Sequence, residues 1–295
     1  MRDYAIYVDS TADLTKELRE EYDIKYFKMA ISVDGKEYPA SLDWDVYSAK
    51  ELYDWLRNGK KIKTSQVSYV EFREGFEKEL KAGKDVLYLS CSSALSGSIN
   101  FGKNVASELM KEYEGSKILC VDSLISCMGQ GLLAIQSSEN RKNGFTIEEN
   151  VKWLEDNKLK SNQIASVEKL DYLARAGRVK TTKAFFGNLF GVKPILISDI
   201  KGNNYAFTKV KGRNNSIDYL VNFVKENIID SENQIIYVSH GDDFETAKII
   251  EQKINEAVKC KGVYINYLGP IIGSTTGPGT IGIFFMGKEV TICGE

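Results

Sequence analysis

Short apolar runs alternate with amphipathic segments along the first half of the chain. Residues 4–8, 85–89 and 117–121 have the length and composition of buried strands, each followed by small polar residues. A helical pattern comes after each: one ending near Tyr22 with Ser10 or Thr11 as its cap, one over 101–113, and one over 124–143. Residues 24–33 alternate apolar with polar positions and, with 36–38 after Gly35, predict two short strands of a hairpin or edge. Helices are predicted over 48–58, with Leu52, Trp55 and Leu56 on one face, and over 69–81, where Ser68 can cap. Strands separated by helices imply parallel pairing, so the first half reads as a doubly wound sheet.

The second half has a different rhythm. A helix from Thr146 to about Lys158 leads into an extended crossover at 161–166, and we place a domain boundary there: 1–161 as an N-terminal α/β domain, 162–295 as a C-terminal α+β domain. A short helix over 170–178 is stopped by Gly177, with Arg175 and Arg178 at its end. A further helix from Thr181 would carry Phe185, Phe186, Leu189 and Phe190. The strands 193–197 and 205–210, joined by Gly202-Asn203-Asn204, predict an antiparallel hairpin. Helices over 216–227 and 244–260 and strands over 234–239, 263–268 and 280–285 complete the α+β layout.

Composition removes several classes of function. With 39 basic and 41 acidic residues the formal charge is -2, so no global field steers the chain to nucleic acid. The most apolar stretch, around 281–285, is far short of the about 20 residues that span a bilayer, so no membrane insertion is expected. The first apolar run is closed by Asp9, unlike a secretion signal, and a cytoplasmic protein is expected. Five scattered cysteines with no Cys-x-x-Cys pair indicate neither a disulfide framework nor a zinc site; no metal and no cofactor are expected.

The candidate chemistry lies in hydroxyls. Residues 90–102 read Ser-Cys-Ser-Ser-Ala-Leu-Ser-Gly-Ser-Ile-Asn-Phe-Gly between a strand and a helix, where unpaired N–H groups and the helix dipole favour an anion. Capping of the helix by serine is the plainer account of the same residues. A second hydroxyl loop, Thr64-Ser65-Gln66, and the repeated Asp-Ser at 9–10 and 122–123 follow strands whose carboxyl ends a parallel sheet gathers, which shifts the balance toward a ligand. Asp9 and Asp122 themselves read mainly as caps. Residues 269–279, rich in Gly and Pro, read as a loop bearing Ser274, Thr275 and Thr276; neither the Walker nor the Rossmann spacing is present. His240 is the only histidine, and with no Gly-x-Ser-x-Gly elbow a serine triad has little support.

Taken together, 9–14, 64–66, 92–98, 121–123, 170–179 and 269–282 resemble, in order and over the whole chain, the DegV family of bacterial fatty-acid-binding proteins. The resemblance implies two α/β domains holding a long-chain fatty acid between them, the tail in an apolar tunnel and the carboxylate on hydroxyls and backbone amides. It implies Thr64, Ser65, Ser93, Ser96 and Thr275 as carboxylate-binding residues and no catalytic residue. Members of the fatty-acid-kinase type present the acid to a separate kinase subunit, and Arg175 and Arg178 fall in the stretch used near that docking face. Many such members carry a histidine where this chain has Thr275. The rival readings are an acyl hydrolase or transferase with a serine nucleophile in the 92–98 loop, and a sensor of a phosphate ligand.

Overall fold

Alternation of buried strands with helices produces a parallel sheet, as the pattern predicts. The computed structural model describes residues 2–181 and 191–294, so the predicted helix with Phe185, Phe186, Leu189 and Phe190 lies outside the described residues. Strands β1 (Tyr4–Asp9), β2 (Ile24–Phe27), β6 (Asp85–Ser90) and β7 (Ile118–Asp122) form an all-parallel sheet in the order β2-β1-β6-β7. The run at 24–33 is two strands. It breaks at Lys28, so that β3 (Met29–Val33) leaves the parallel sheet and joins β4 (Lys36–Ala40) and β5 (Ile62–Ser65) in a separate antiparallel one, order β4-β3-β5. Thr64 and Ser65 therefore end a strand instead of lying in a loop, with Ile31 opposite Thr64 and Ala30 opposite Ser65.

The first sheet is covered by α1 (Lys16–Glu21), α3 (Tyr69–Lys81), α4 (Ser98–Glu112), α5 (Cys127–Lys142) and α6 (Ile147–Asn157), and α2 (Ala49–Arg57) precedes β5. Ser48 and Thr146 close capping boxes with Glu51 and Glu149. α1 is capped by Thr15, not by Ser10 or Thr11, because the chain after β1 first folds into a buried turn around Asp9. The aromatic rings of Phe27, Phe72, Phe76 and Tyr88 stack edge and face under α3, and this cluster is fully buried.

Residues 161–166 form no crossover. They make β8 (Ser161–Ser166), an inner strand of a six-stranded mixed sheet with β9 (Val192–Ser198), β10 (Asn204–Lys211), β11 (Ile235–His240), β12 (Gly262–Tyr267) and β13 (Ile281–Met286), in the order β10-β9-β8-β13-β11-β12. One face carries Ile164, Ile195, Ile283 and Phe285 against α8 (Arg213–Asn227) and α9 (Phe244–Ala257). The alternate positions, including Ala165, Leu196 and Phe284, turn the other way.

That second face looks toward α5. This helix is buried over most of its length and packs on β1 as well as on β8 and β13, so one core runs from Leu14 and Met128 to Tyr237, Leu268 and Phe284. The Gly/Pro stretch is also ordered. Its prolines permit a helix because Pro270 stands at the first position, where no N–H is needed, and α10 (Pro270–Thr276) packs on α2, β3, β5 and the short α7 (Asp171–Ala176).

Candidate functional site

Three loops leave the carboxyl ends of β1, β6 and β7 and tie to one another. Asp9 accepts hydrogen bonds from Tyr88 Oη (2.8 Å), Cys91 N (3.1 Å) and Thr11 N (3.0 Å), and from the Thr11 hydroxyl. Ser92 N donates to Ile125 O at 2.9 Å and Ser123 N to Ser90 O at 3.2 Å. Asp122 Oδ1 accepts from Ser93 N and Leu124 N, both at 3.1 Å. Both aspartates organise loops; neither caps a helix, and neither lines the cavity described next.

Residues 92–96 make a tight helical turn, with Leu95 N and Ser96 N donating to Ser92 O. α4 then starts from Gly97 without any side-chain cap of the usual kind; Ser96 Oγ accepts from Ser98 N at 3.2 Å and shares a hydrogen bond with Ser98 Oγ at 2.9 Å. The usual side-chain cap is thus missing at this helix, and Gly97, the residue before its first turn, lines the cavity described next.

That cavity has a volume of about 140 Å³ and is walled by Thr64, Ser65 and Gln66 from β5 and beyond, Leu95 and Ser96 from the serine turn, and Ile272 and Thr275 from α10. Thr11, Ser126 and Asn204 add polar atoms, while Met29 and Ile271 add apolar ones. Four of the five residues assigned by resemblance meet here: Thr64, Ser65, Ser96 and Thr275. Ser93 does not line it. Its side chain is exposed on the outer side of the serine turn, held there by the Ser93 N to Asp122 bond. Thr275 lines the cavity, but its hydroxyl proton is engaged within the helix, where Oγ1 donates to Ile272 O (2.9 Å) or Ile271 O (3.2 Å).

Among the described residues, the one charged side chain lining the cavity is that of Arg178. Its Nε donates to Leu95 O at 3.1 Å, so the guanidinium reaches from the end of α7 across to the serine turn. The family resemblance groups it with Arg175 near a docking face; in the structure Arg178 lines the cavity wall as well as the outer cleft. Arg175 lines only the wider outer cleft of about 470 Å³, together with Lys60, Lys61, Lys63 and Tyr172. Thr64, Arg178 and Thr275 border both spaces and mark the passage between them.

Next to the cavity, on its inner side, lies a narrow chamber of about 40 Å³. Ser126, Asn204, Ile272 and Thr275 border both, and the chamber's far wall is the inner face of the second sheet, with Ala165, Val167, Leu196 and Phe284. The succession is therefore a basic outer cleft, a hydroxyl-lined cavity and an apolar chamber. Gln66, Asn204 and Ser126 were not singled out from the sequence as site residues. Gln66 stands next to Thr64 and Ser65, which is the signal for it; Asn204 belongs to a hairpin of the fold's other sheet, 108 positions after Ser96, and no pattern along the chain connects them.

No acid and no histidine is found among the described residues lining the cavity. His240 is buried between Phe244 and Tyr267, its Nδ1 accepts from Asp243 N at 3.2 Å, and burial lowers its pKa. Cys91 lines the cavity, but burial, with Asp9 beside it, pushes its thiol far above neutrality, which suits a packing residue and not a nucleophile. Among the described residues no group of three His, Cys, Asp or Glu could hold a metal ion, and no helix is long and apolar enough to cross a membrane.

Comparison with known proteins agrees with this layout. The sequence pattern of the DegV family, described as uncharacterised proteins, matches residues 3–288. A DegV domain-containing protein of Clostridium perfringens is 37% identical over 287 residues, covering 97% of this chain and 98% of its own. Among solved structures, DegV from Bacillus subtilis, described as a fatty acid binding protein, is 28% identical with a TM-score of 0.81, covering 96% of this chain and 99% of its own. A stearic acid-binding protein from Eubacterium ventriosum is 25% identical with a TM-score of 0.83, covering 96% and 98%.

Proposed function

The chain belongs to the DegV family, and from that premise we propose that it binds a long-chain fatty acid, carboxylate in the hydroxyl cavity and tail in the apolar chamber between the two sheets. The observation that carries this reading is the adjacency of the two spaces, which share Ser126, Asn204, Ile272 and Thr275 as walls: polar donors at one end, with Arg178 as the balancing charge, and the apolar inner face of the second sheet at the other. Thr64, Ser65 and Ser96 offer hydroxyls to the anion, and Ser93 joins them only by turning inward. Thr275 acts chiefly as wall, because its proton is directed to its own helix.

Burial of the tail supplies affinity, at about 0.8 kcal/mol per methylene before ordering losses, while the hydroxyls fix the orientation. No cofactor is needed for this, and the reading is of a carrier: the carboxylate beside Ser93, that of Asp122, is committed to the Ser93 and Leu124 backbone N–H groups. The basic cleft outside the cavity suits presentation of the carboxylate to a separate kinase subunit, with Lys60, Lys61, Lys63 and Arg175 around the mouth. A cytoplasmic location fits that role. Native mass spectrometry of the purified protein tests the reading: a co-purifying long-chain acid, or stoichiometric uptake of added palmitate, is expected. Absence of both overturns it.

A further inference from the structure

The chamber's far wall contains an arrangement that sets how deep it can be. β13 runs away from α10: Thr280 Oγ1 donates to Thr276 O at 3.1 Å, and Gly282 and Phe284 follow on the same face of the strand. At about 3.3 Å per residue, Phe284 stands about 13 Å beyond Thr280 along the strand. Gly282 is opposite Ala165 and Phe284 is opposite Gln163. The Phe284 ring lies back over Gly282: a Cβ placed on Gly282 would come 2.9 Å from both Cε2 and Cζ of that ring. Only glycine leaves room for the ring there. The ring is 2% exposed and belongs to the core shared by both sheets, so it closes the chamber with a rigid, well-packed surface. Beside it, Gln163 is fixed by its Nε2 bond to Asn204 Oδ1 at 2.9 Å and cannot easily withdraw.

We propose that Phe284, folded over Gly282, is the residue that limits the length of the acyl tail this chain accepts. The proposal rests on the fatty-acid reading of the site and goes beyond it by naming what selects among acids. A tail that enters past Thr275 and Ile272 runs by Ala165 and stops at the Phe284 ring, which covers Gly282. Replacing the ring by a methyl frees the volume of six aromatic carbons, space for about four methylenes in a close-packed interior. Replacing Ala165 by leucine fills the middle of the chamber.

The test is competition of straight-chain saturated acids, from about eight to about twenty carbons, against a bound fluorescent fatty acid, with each affinity expressed relative to the optimum. It is run on the full-length wild type, Phe284→Ala and Ala165→Leu, each checked for cooperative melting. For Phe284→Ala the longest acid held within tenfold of the optimum should lengthen by about four carbons, and for Ala165→Leu it should shorten by about two. Profiles of folded variants that superimpose on that of the wild type overturn the proposal. If Phe284→Ala does not fold, Phe284→Leu, which keeps a buried apolar side chain but removes part of the ring's volume, decides: a lengthened profile supports the proposal and an unchanged one overturns it. A wild type that binds no acid of any length would instead overturn the fatty-acid reading itself.

Discussion

Gly202, at the tip of the β9–β10 hairpin, lies against Ser92 of the serine turn. A Cβ on Gly202 would overlap Ser92 Oγ and come within 2.9 Å of Leu124 Cα, and Gly202 has φ +77. The second sheet thus touches the loops of the first at a point where only a hydrogen fits, and Asn204, two residues on, reaches the cavity wall. Gly202→Ala must strain the backbone or push the hairpin away. A loss of about 1–3 kcal/mol in urea unfolding is expected. Binding of palmitate should weaken as well, since Asn204 moves with the hairpin.

Asp13 gives the fold a pH dependence with a defined sign. Its carboxyl is buried, accepts the thiol S–H of Cys127 at 2.9 Å, and leaves Oδ1 against Gly269 without a hydrogen bond. Burial is the chief cause of a pKa raised from 3.8 to about 7, with Asp9 adding to it while Cys127 and the Gly269 backbone oppose it. Since the folded state holds the proton more tightly, its contribution is full below about pH 4 and is lost as pH rises through about 7. His240 has the opposite sign: burial lowers its pKa from 6.5, so its contribution is present above pH 6.5 and is lost as pH falls. Comparison with Asp13→Asn isolates the first term. The stability of the wild type relative to Asp13→Asn should fall steadily between about pH 4 and 7, by up to about 1.4 kcal/mol per unit, and level off above. Thermal melts of both proteins across that range check it.

How much of this was legible along the chain depends on the distance over which each interaction acts. The parallel sheet was, because β1, β6 and β7 each carry a local apolar run and the turn chemistry that follows. Lys28 was not, since the break that sends β3 into another sheet is made by pairing with β4 and β5 and by the bond from Ser10 Oγ to Ala40 O at 2.7 Å. The Gly/Pro stretch read as a loop because its residues have poor helix propensity; packing on four other elements overrides this. The serines and Thr64 could be singled out by residue type and by resemblance. Which of them line the cavity depends on side-chain direction: Ser96 faces in and Ser93 out. Arg178 could not be placed, because an arginine after a helix-stopping glycine looks the same whether it faces a partner or the chain's own serine turn.

Hydroxyls that line the cavity should differ in what their removal costs. Thr64 borders the passage with no hydrogen bond committing its Oγ1 among the described residues, whereas Thr275 directs its proton to a helix carbonyl. Thr64→Val is expected to weaken palmitate binding about tenfold, as befits one lost hydrogen bond to a charged group. Thr275→Val keeps the wall's shape and should stay within about twofold of wild type. Isothermal titration with palmitate distinguishes the two.

The two arginines allow a sharper separation of binding from presentation. Arg178 reaches the serine turn and lines the hydroxyl cavity, while Arg175 lies over the Tyr172 ring, 4.9 Å from its centroid, and lines only the outer cleft. A carboxylate held in the cavity therefore feels Arg178 at short range through a partly enclosed medium and Arg175 through water. Coulomb attraction at an effective dielectric of about 20 is several-fold larger than in water, and screening by salt removes most of the weaker one. Arg178→Ala should weaken palmitate binding about tenfold or more, with a loss that persists at high ionic strength. Arg175→Ala should leave the Kd within about twofold at physiological salt, so any larger effect of that substitution must appear in a later step, when a partner approaches the cleft. Titrations of both variants at low and high salt check this. Equal losses for the two arginines would show that the cavity does not separate them.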